Sequence, residues 1–263
     1  MQKIDQELRA IHCELAKNPG SERLKNVKAA LLNNKALLFS QAGKYNDALK
    51  FIDQALALNT SENFLAFTSN KASFLHKASK FNDSIECAQK ILEIDLNNEK
   101  AIEILVLNYS SQASIENEKG NNSLALKMIE KAIELKPKDS ILLYNKANIL
   151  NESQKYDDAL SFCFLALQND PTLASAKSLQ AFIFHKMALN EADKKNYEGA
   201  LEQIDKAIEI SNSEIAFFIN KSSFLFKLKR YDESAANADK ALELQPANQD
   251  ALNMKKIASK YLK

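Results

Sequence analysis

A short pattern occurs six times along the chain, and this repetition restricts the possible folds more than any other feature. In five copies an aromatic residue is followed three residues later by a small residue, and the third copy has Asn122 in the aromatic position. We call these six positions the anchors: Tyr45, Phe81, Asn122, Tyr156, Tyr197 and Tyr231. Consecutive anchors are 36, 41, 34, 41 and 34 residues apart. Such periods are typical of arrays in which one small unit stacks on the next.

The spacing also repeats at a second level. Phe81, Tyr156 and Tyr231 are separated by 75 residues each time, and the same distance separates Asn122 from Tyr197. The chain therefore repeats both as single units and as pairs of units.

Each unit is predicted to be two helices. In the first unit apolar residues recur at spacings of three and four on both sides of Gly43, which is typical of one face of a helix. The chain has only four Gly and four Pro, where average usage would give roughly 18 and 13. So few helix-breaking residues favour long helices with short connections. Neither helix of a unit can bury its apolar stripe alone, so neighbouring units must complete the core.

The pattern resembles the tetratricopeptide repeat family, whose unit has small residues where helices cross, an aromatic residue early in the second helix and often a terminal proline. The early Trp of the family is replaced here by Leu32, Leu143 or Phe218. Terminal prolines stand at Pro137, Pro171 and Pro246. The crossing positions are held by Ala36, Ala72, Ala147 and Ser222, by Ala48, Ser84, Ala125, Ala159, Ala200 and Ser234, and by Ala55, Ile91, Ala132, Ala166, Ala207 and Ala241.

This resemblance, which covers about residues 29–246, implies an all-α, right-handed superhelical solenoid of about six helix–turn–helix units with a capping helix at each end. The expected boundaries are 1–28 for the first cap, then 29–62, 65–98, 99–139, 140–173, 174–214 and 215–248 for the repeats, and 249–263 for the last cap.

Units three and five each contain seven extra residues, nearly two helical turns. Val106 and Ala181 match the small position of the family's first helix, so we expect the extra length at the end of that helix, around Ser111–Lys119 and Lys186–Lys195. The extra turns are either a neutral elongation or a ridge for a second partner.

The tripeptide Asn-Lys-Ala, or Asn-Lys-Ser, recurs in four units and supplies candidate binding residues. Its Asn precedes the crossing residue by two, which turns it away from the buried stripe, and in the family that face lines the concave groove. Asn offers both a donor and an acceptor to a peptide backbone. An equally weighted alternative is that these residues join neighbouring helices. The candidate groove residues are Asn34, Asn70, Asn145, Asn148, Asn220, Ile219, Phe226, Lys77 and Lys227.

Three of these candidate groove residues, Phe226, Lys77 and Lys227, need further comment. Phe226 is as readily explained by core packing in a shifted register. Some family members bind the C-terminal carboxylate of chaperone tails through basic groove residues, but Lys77 and Lys227 lie four units apart, so we do not expect such a clamp. Asn151, near the end of a first helix, is expected to be exposed.

The remaining sequence features narrow the function. A net charge of +1 does not favour nucleic acid. Three widely separated cysteines predict neither a disulfide framework nor a metal site. No signal peptide, long apolar segment, phosphate loop or catalytic motif is visible, so we expect a cytoplasmic protein with no cofactor, no membrane insertion and no enzymatic activity.

The leading functional prediction is an adaptor that holds an extended peptide of a partner protein. The alternative is a structural protein that self-assembles through the array ends or the elongated units.

Overall fold

The structure is a computed structural model that describes residues 2–58 and 63–262. Residues 1, 59–62 and 263, which include the end of the first predicted repeat, lie outside the described residues. The described residues form fourteen α-helices and no strand, which confirms the all-α prediction. The helices are α1 Gln2–Lys17, α2 Glu22–Gln41, α3 Tyr45–Leu56, α4 Phe64–Lys77, α5 Phe81–Ile94, α6 Glu99–Glu118, α7 Asn122–Leu135, α8 Ser140–Glu152, α9 Tyr156–Asn169, α10 Ala174–Asp193, α11 Tyr197–Ile210, α12 Ile215–Lys227, α13 Tyr231–Leu244 and α14 Gln249–Ser259.

The helices fall into two compact units, an amino-terminal unit up to Pro137 and a carboxy-terminal unit from Lys138. Within each unit the helices pack as pairs. We call α2, α4, α6, α8, α10 and α12 the first helices and their partners α3, α5, α7, α9, α11 and α13 the second helices. Helix α1 packs on α2, and α14 packs on α13 and α12. Every second helix begins at an anchor residue, as the repeat pattern predicts.

The small residues of the repeat lie where helices cross. Ala36, Ala72, Ala147 and Ser222 on the first helices are all 0% exposed. The two small positions of each second helix are 0–1% exposed in every unit, and Ile91 takes one of them without exposure. Because these sites are closed on all sides, a larger side chain would have to displace a neighbouring helix.

The turn between the two helices of a unit has one backbone conformation in all six copies. The residue two positions before each anchor has a positive φ, 72° at Gly43 and 79° at Gly120. Four non-glycine residues, Ser79, Gln154, Lys195 and Lys229, have φ of 59–63° at the same position. This left-handed residue ends the first helix and lets the following amide bond back to it; Lys44 N, for example, donates to Phe39 O at 2.9 Å.

Three of the first helices are longer than the others. Helices α2, α6 and α10 have 20 residues, whereas α4, α8 and α12 have 13 or 14. The predicted elongation of units three and five is therefore confirmed. Helix α2 begins at Glu22, where Ser21 accepts a hydrogen bond from Leu24 N, so residues 28 and 29, on either side of an expected boundary, lie within one helix.

The predicted location of the extra turns was wrong. Ala113 and Ala188 stand nine residues before the anchors Asn122 and Tyr197, as Ala36 stands before Tyr45, and they are 1% and 0% exposed. These alanines are the crossing residues of their own hairpins, so the extra turns precede the crossing and do not occupy Ser111–Lys119 and Lys186–Lys195. Seven residues turn a helix through almost two full rotations. For that reason Val106 lies close to the helix face of Ala113, and Ala181 lies close to the helix face of Ala188. In the sequence alone, either residue of each pair fits the crossing position.

The prediction that Asn151 is exposed is also wrong. It follows Ala147 by four residues and so lies on the same buried face of α8, where it is 7% exposed. Among the described residues, no helix is both long enough and apolar enough to cross a membrane.

Candidate functional site

Two of the predicted groove asparagines join neighbouring first helices. Asn70 Nδ2 donates to Asn33 Oδ1 at 2.8 Å and thereby links α4 to α2. Asn220 Nδ2 lies 2.6 Å from His185 Nε2 and links α12 to α10. Both side chains are half-buried, as are Asn145 and Asn148, whereas Asn34 is exposed. At Asn70 and Asn220 the structure therefore contains the helix-joining contacts that were one of the two sequence interpretations.

The lysine that follows each of these two asparagines also makes a contact between repeats. Lys71 Nζ lies 2.7 Å from Asp53 on α3, and Lys221 Nζ lies 2.5 Å from Asp205 on α11. Each lysine thus reaches back to the second helix of the preceding unit. Burial lowers the pKa of Lys71, but the carboxylate of Asp53 outweighs burial, so that pKa is raised overall.

The hydrogen bond between Asn220 and His185 fixes the tautomer of the imidazole. An amide nitrogen can only donate, so His185 Nε2 accepts, and the ring hydrogen must then be on Nδ1. His185 is 9% exposed, and its Nδ1 has no hydrogen-bond partner among the described residues. Burial lowers the pKa of His185, and the adjacent positive charge of Lys186 lowers it further. The ring is therefore neutral at neutral pH.

His185 lies at a cleft of about 530 Å³ between the first helices of the carboxy-terminal unit. We call this the His185 cleft. Its walls come from α8, α10 and α12. The side chains that matter for its chemistry are Tyr144, Ser178, Phe182, His185, Glu214 and Phe217.

The His185 cleft mixes aromatic rings with hydrogen-bonding groups. The ring centroids of Phe217 and Phe182 lie 4.9 and 6.2 Å from that of His185. Phe217 is buried, but Phe182 is 41% exposed at the rim. Serine hydroxyls and the exposed carboxylate of Glu214 complete the lining. Such a lining can hold an apolar side chain and still satisfy polar groups of a peptide backbone.

The sequence identified this face only in part. Ser175, Ser178, Phe182 and His185 follow one another at spacings of three, four and three along α10. None of the nine candidate residues is among the described lining residues of the cleft, but Asn220 is hydrogen-bonded to His185 at its wall. Ile219 packs against the buried cluster of Phe218, Ala241 and Ala251. Tyr144, Phe182 and His185 were missed. Their signal in the sequence was a second stripe at helical spacing, beside the buried one, that combines aromatic and polar residues.

The other candidate residues lie away from this cleft. Phe226 packs against Tyr231 and Tyr261, with centroid distances of 5.4 and 5.6 Å. Lys77 and Lys227 are exposed residues at the ends of α4 and α12, one in each compact unit.

The carboxy-terminal halves of α6 and α10 each border a second type of cleft. The one in the amino-terminal unit measures about 460 Å³ and includes Glu116; the other measures about 660 Å³ and includes Glu191. Hydrogen bonds from Lys119 and Asn121 to Glu116, and from Lys194 and Asn196 to Glu191, lower the pKa of both carboxyl groups. The carboxylates of Glu116 and Glu191 therefore both remain ionised at neutral pH.

Models of the tetratricopeptide repeat match residues 29–61, 108–139, 128–161 and 215–248. One of them matches both 108–139 and 215–248. The ends of these two matches, 139 and 248, are 109 residues apart, and the same difference separates Ala113 from Ser222. The match thus agrees with Ala113 as the crossing residue of the third unit.

Two curated proteins share part of this sequence. The chain is 29% identical over 119 residues, 45% of its length, to the Hsp70-Hsp90 organising protein of Plasmodium falciparum (isolate 3D7). It is 28% identical over 181 residues, 67% of its length, to the human protein O-mannosyl-transferase TMTC1. The matched segments make up 21% and 20% of those proteins, so the chain spans about a fifth of each.

A solved structure shows the same fold. The C-terminal part of a repeat protein from Cytophaga hutchinsonii superposes with a TM-score of 0.57 and 19% sequence identity. The superposition covers 96% of this chain and 94% of that one. At this identity the likeness concerns the fold alone.

Proposed function

The chain belongs to the tetratricopeptide repeat family, and from that premise we propose that it is a non-catalytic adaptor that holds an extended peptide segment of a partner protein along its first helices. The observation that carries this proposal is the His185 cleft. It presents a partly exposed aromatic ring, a buried ring donor and several hydroxyl groups on one face, which is the combination that an extended peptide needs.

The names of the related proteins give limited support to an adaptor function for this chain. One of them is named as a protein that organises Hsp70 and Hsp90, which is a protein-binding role by name. Another is named as a transferase, but the similarity covers only 20% of that protein, so we do not extend transferase activity to this chain.

The proposed peptide path follows the first helices. In the carboxy-terminal unit Asn145 and Asn148 are the proposed polar contacts, and in the amino-terminal unit Asn34 is a separate one, because their amides lie on or beside the faces that line the groove in the family. Ile219 is a proposed apolar contact on α12. Asn70 and Asn220 contribute mainly by fixing neighbouring first helices, since their amide groups are bonded to Asn33 and His185. Lys77, Lys227 and Phe226 are secondary candidates.

Hydrogen exchange tests this path. Linear peptides selected on the full-length chain from a random nine-residue display library should slow amide exchange in α8, α10 and α12. The second helices α9, α11 and α13 of the same unit are the internal control and should change less. If no linear peptide is enriched, or if protection concentrates on the second helices, the proposed function is wrong.

Self-assembly is the second candidate, because α14 and the residues after it expose apolar side chains. Leu252, Ile257, Tyr261 and Leu262 are 40%, 40%, 56% and 38% exposed. Light scattering over a hundredfold range of concentration should then show mass that increases with concentration, and Ile257→Glu should abolish the increase. A constant monomer mass for the wild type would contradict this candidate.

A cytoplasmic location is part of the same proposal. Cys13, Cys87 and Cys163 are all free thiols, as a reducing compartment requires. Fractionation of the source cells tests it, and recovery of the protein from a membrane or secreted fraction would contradict it.

A further inference from the structure

We infer that the His185 cleft is the specificity pocket of the groove: it accepts one large apolar side chain of the bound peptide, next to a basic residue, and His185 Nδ1 donates to a peptide carbonyl. This inference rests on the proposed function and adds the class of peptide that is recognised.

The first support is the unused donor of His185. Asn220 occupies Nε2, so the ring hydrogen is on Nδ1, and that atom is buried without a partner among the described residues. Most buried polar groups in proteins are hydrogen-bonded, so an unused donor beside a cleft calls for an explanation. A ligand with a carbonyl oxygen supplies the missing acceptor, whereas a ligand without one leaves the donor unpaired.

The second support is the arrangement of rings around that donor. Phe217 is 4% exposed and forms a fixed wall, whereas Phe182 is 41% exposed and packs edge-on against the imidazole. Phe182 is therefore the exposed wall of the cleft, beside the imidazole whose Nδ1 is buried without a partner among the described residues. The space of about 530 Å³ lies within the range of pockets that bind small ligands and has room for one large apolar side chain.

The third support is the charge of the lining. Glu214 is the one ionisable carboxylate among the described lining residues, and those residues include no Lys or Arg. The nearby ammonium group of Lys186 lies over the Phe182 ring, 5.0 Å from its centroid. An acidic peptide would therefore meet Glu214 without a compensating cation in the lining, whereas a Lys or Arg next to the apolar residue can pair with Glu214.

Selection from the random nine-residue library, with the full-length chain as bait, tests the inference. We expect the enriched peptides to share one large apolar residue with Lys or Arg beside it. The consensus peptide, measured by fluorescence anisotropy, should bind Phe182→Ser about tenfold more weakly than wild type.

Phe164→Ser is the matched control. Phe164 is also an exposed phenylalanine of the carboxy-terminal unit, 57% exposed on α9, and it does not line the cleft. Its replacement should leave peptide affinity unchanged. Circular dichroism melting curves of both variants establish that each is folded.

The outcomes separate this inference from the proposed function. If no linear peptide is enriched, both are wrong. If peptides are enriched and protect the first helices, but share an acidic or purely polar consensus, or bind Phe182→Ser as well as wild type, the adaptor function stands and the pocket assignment is overturned.

Nuclear magnetic resonance of histidine labelled with ¹⁵N tests the donor directly. We expect the free protein to have His185 in the Nδ1–H form, and the consensus peptide to shift that proton downfield. An Nε2–H tautomer, or no change in the imidazole signals at saturating peptide, would contradict the role given to His185.

Discussion

Ser222 on α12 and Ser234 on α13 each donate a hydroxyl hydrogen to the other's backbone carbonyl, at 2.7 and 2.8 Å. Both residues are fully buried. In the hairpin of α8 and α9 the same two positions are Ala147 and Ala159. In these two hairpins the close crossing is thus built from methyl groups alone or from reciprocal hydroxyl-to-carbonyl hydrogen bonds.

A third version of this crossing also involves the next first helix. Ser84 Oγ donates to Ala72 O at 2.7 Å and accepts from Asn108 Nδ2 at 2.8 Å. Asn108 is 0% exposed, and its amide also donates to Ile104 O and accepts from His76 Nδ1. Ser84 therefore stabilises its own hairpin and also belongs to a buried hydrogen-bond network with Asn108 and His76.

The two serines should respond differently to replacement by alanine. Ser234→Ala removes a hydrogen bond and should lower the free energy of unfolding by about 1 kcal/mol. Ser84→Ala also leaves a buried N–H of Asn108 without an acceptor, so the loss should be about 2–3 kcal/mol. Urea unfolding followed by circular dichroism gives both values. A loss for Ser84→Ala no larger than that for Ser234→Ala would show that the Asn108 contact contributes little.

Ala159→Leu tests the packing of the crossings. Ala159 is 0% exposed, so a leucine there must displace a neighbouring helix or adopt a strained rotamer, at a cost of about 1–3 kcal/mol. Ala236 on α13 is exposed, and Ala236→Leu should change the free energy of unfolding by less than about 0.5 kcal/mol. Thermal melting of the two variants side by side is sufficient. Equal midpoints would contradict the assignment of Ala159 to a closed crossing.

Lys229→Gly should stabilise the protein, although glycine normally weakens helical proteins. Lys229 has φ of 63°, a conformation in which its Cβ is strained and glycine is not. We expect a gain of about 0.5–1 kcal/mol in the free energy of unfolding, measured by urea titration.

The matched control is Lys127→Gly. Lys127 is exposed within helix α7, where glycine should cost about 1 kcal/mol. If Lys229→Gly is as destabilising as Lys127→Gly, the left-handed turn is not strained at Lys229.

The sequence predicted the hairpins well because the information is local and repeated. An anchor followed three residues later by a small residue marks the start of a second helix in all six units, and burial of the small residues confirms the reason. The position of the extra turns was ambiguous, because a shift of seven residues moves Ala188 to Ala181 on nearly the same helix face. Only the packing of α10 on α11 distinguishes them.

The candidate site was harder to predict because it depends on contacts between units. The pairing of Asn220 with His185 joins residues 35 positions apart, and no spacing rule within one helix indicates it. Asn151 was misplaced for a related reason: its position near the end of the first helix predicts exposure, although its distance of four residues from Ala147 puts it on the buried face. The walls of the His185 cleft come from three helices, so the cleft exists only after they pack.

The buried imidazole should also make stability depend on pH. Burial and the charge of Lys186 lower the pKa of His185 in the folded state, whereas the unfolded chain has an ordinary value near 6.5. The unfolded state therefore binds the proton more readily, and the contribution of His185 to stability is fully present above that value and is lost as the pH falls below it. When the pH is lowered from about 7 to about 5.5, urea unfolding should show a decrease in the free energy of unfolding of the wild type.

The control variant is His185→Gln, which removes the titrating group but keeps an acceptor for Asn220. The decrease in its free energy of unfolding should be smaller, while His12 and His76 are common to both proteins. An equal decrease in the two proteins would mean that His185 is not held neutral by the fold.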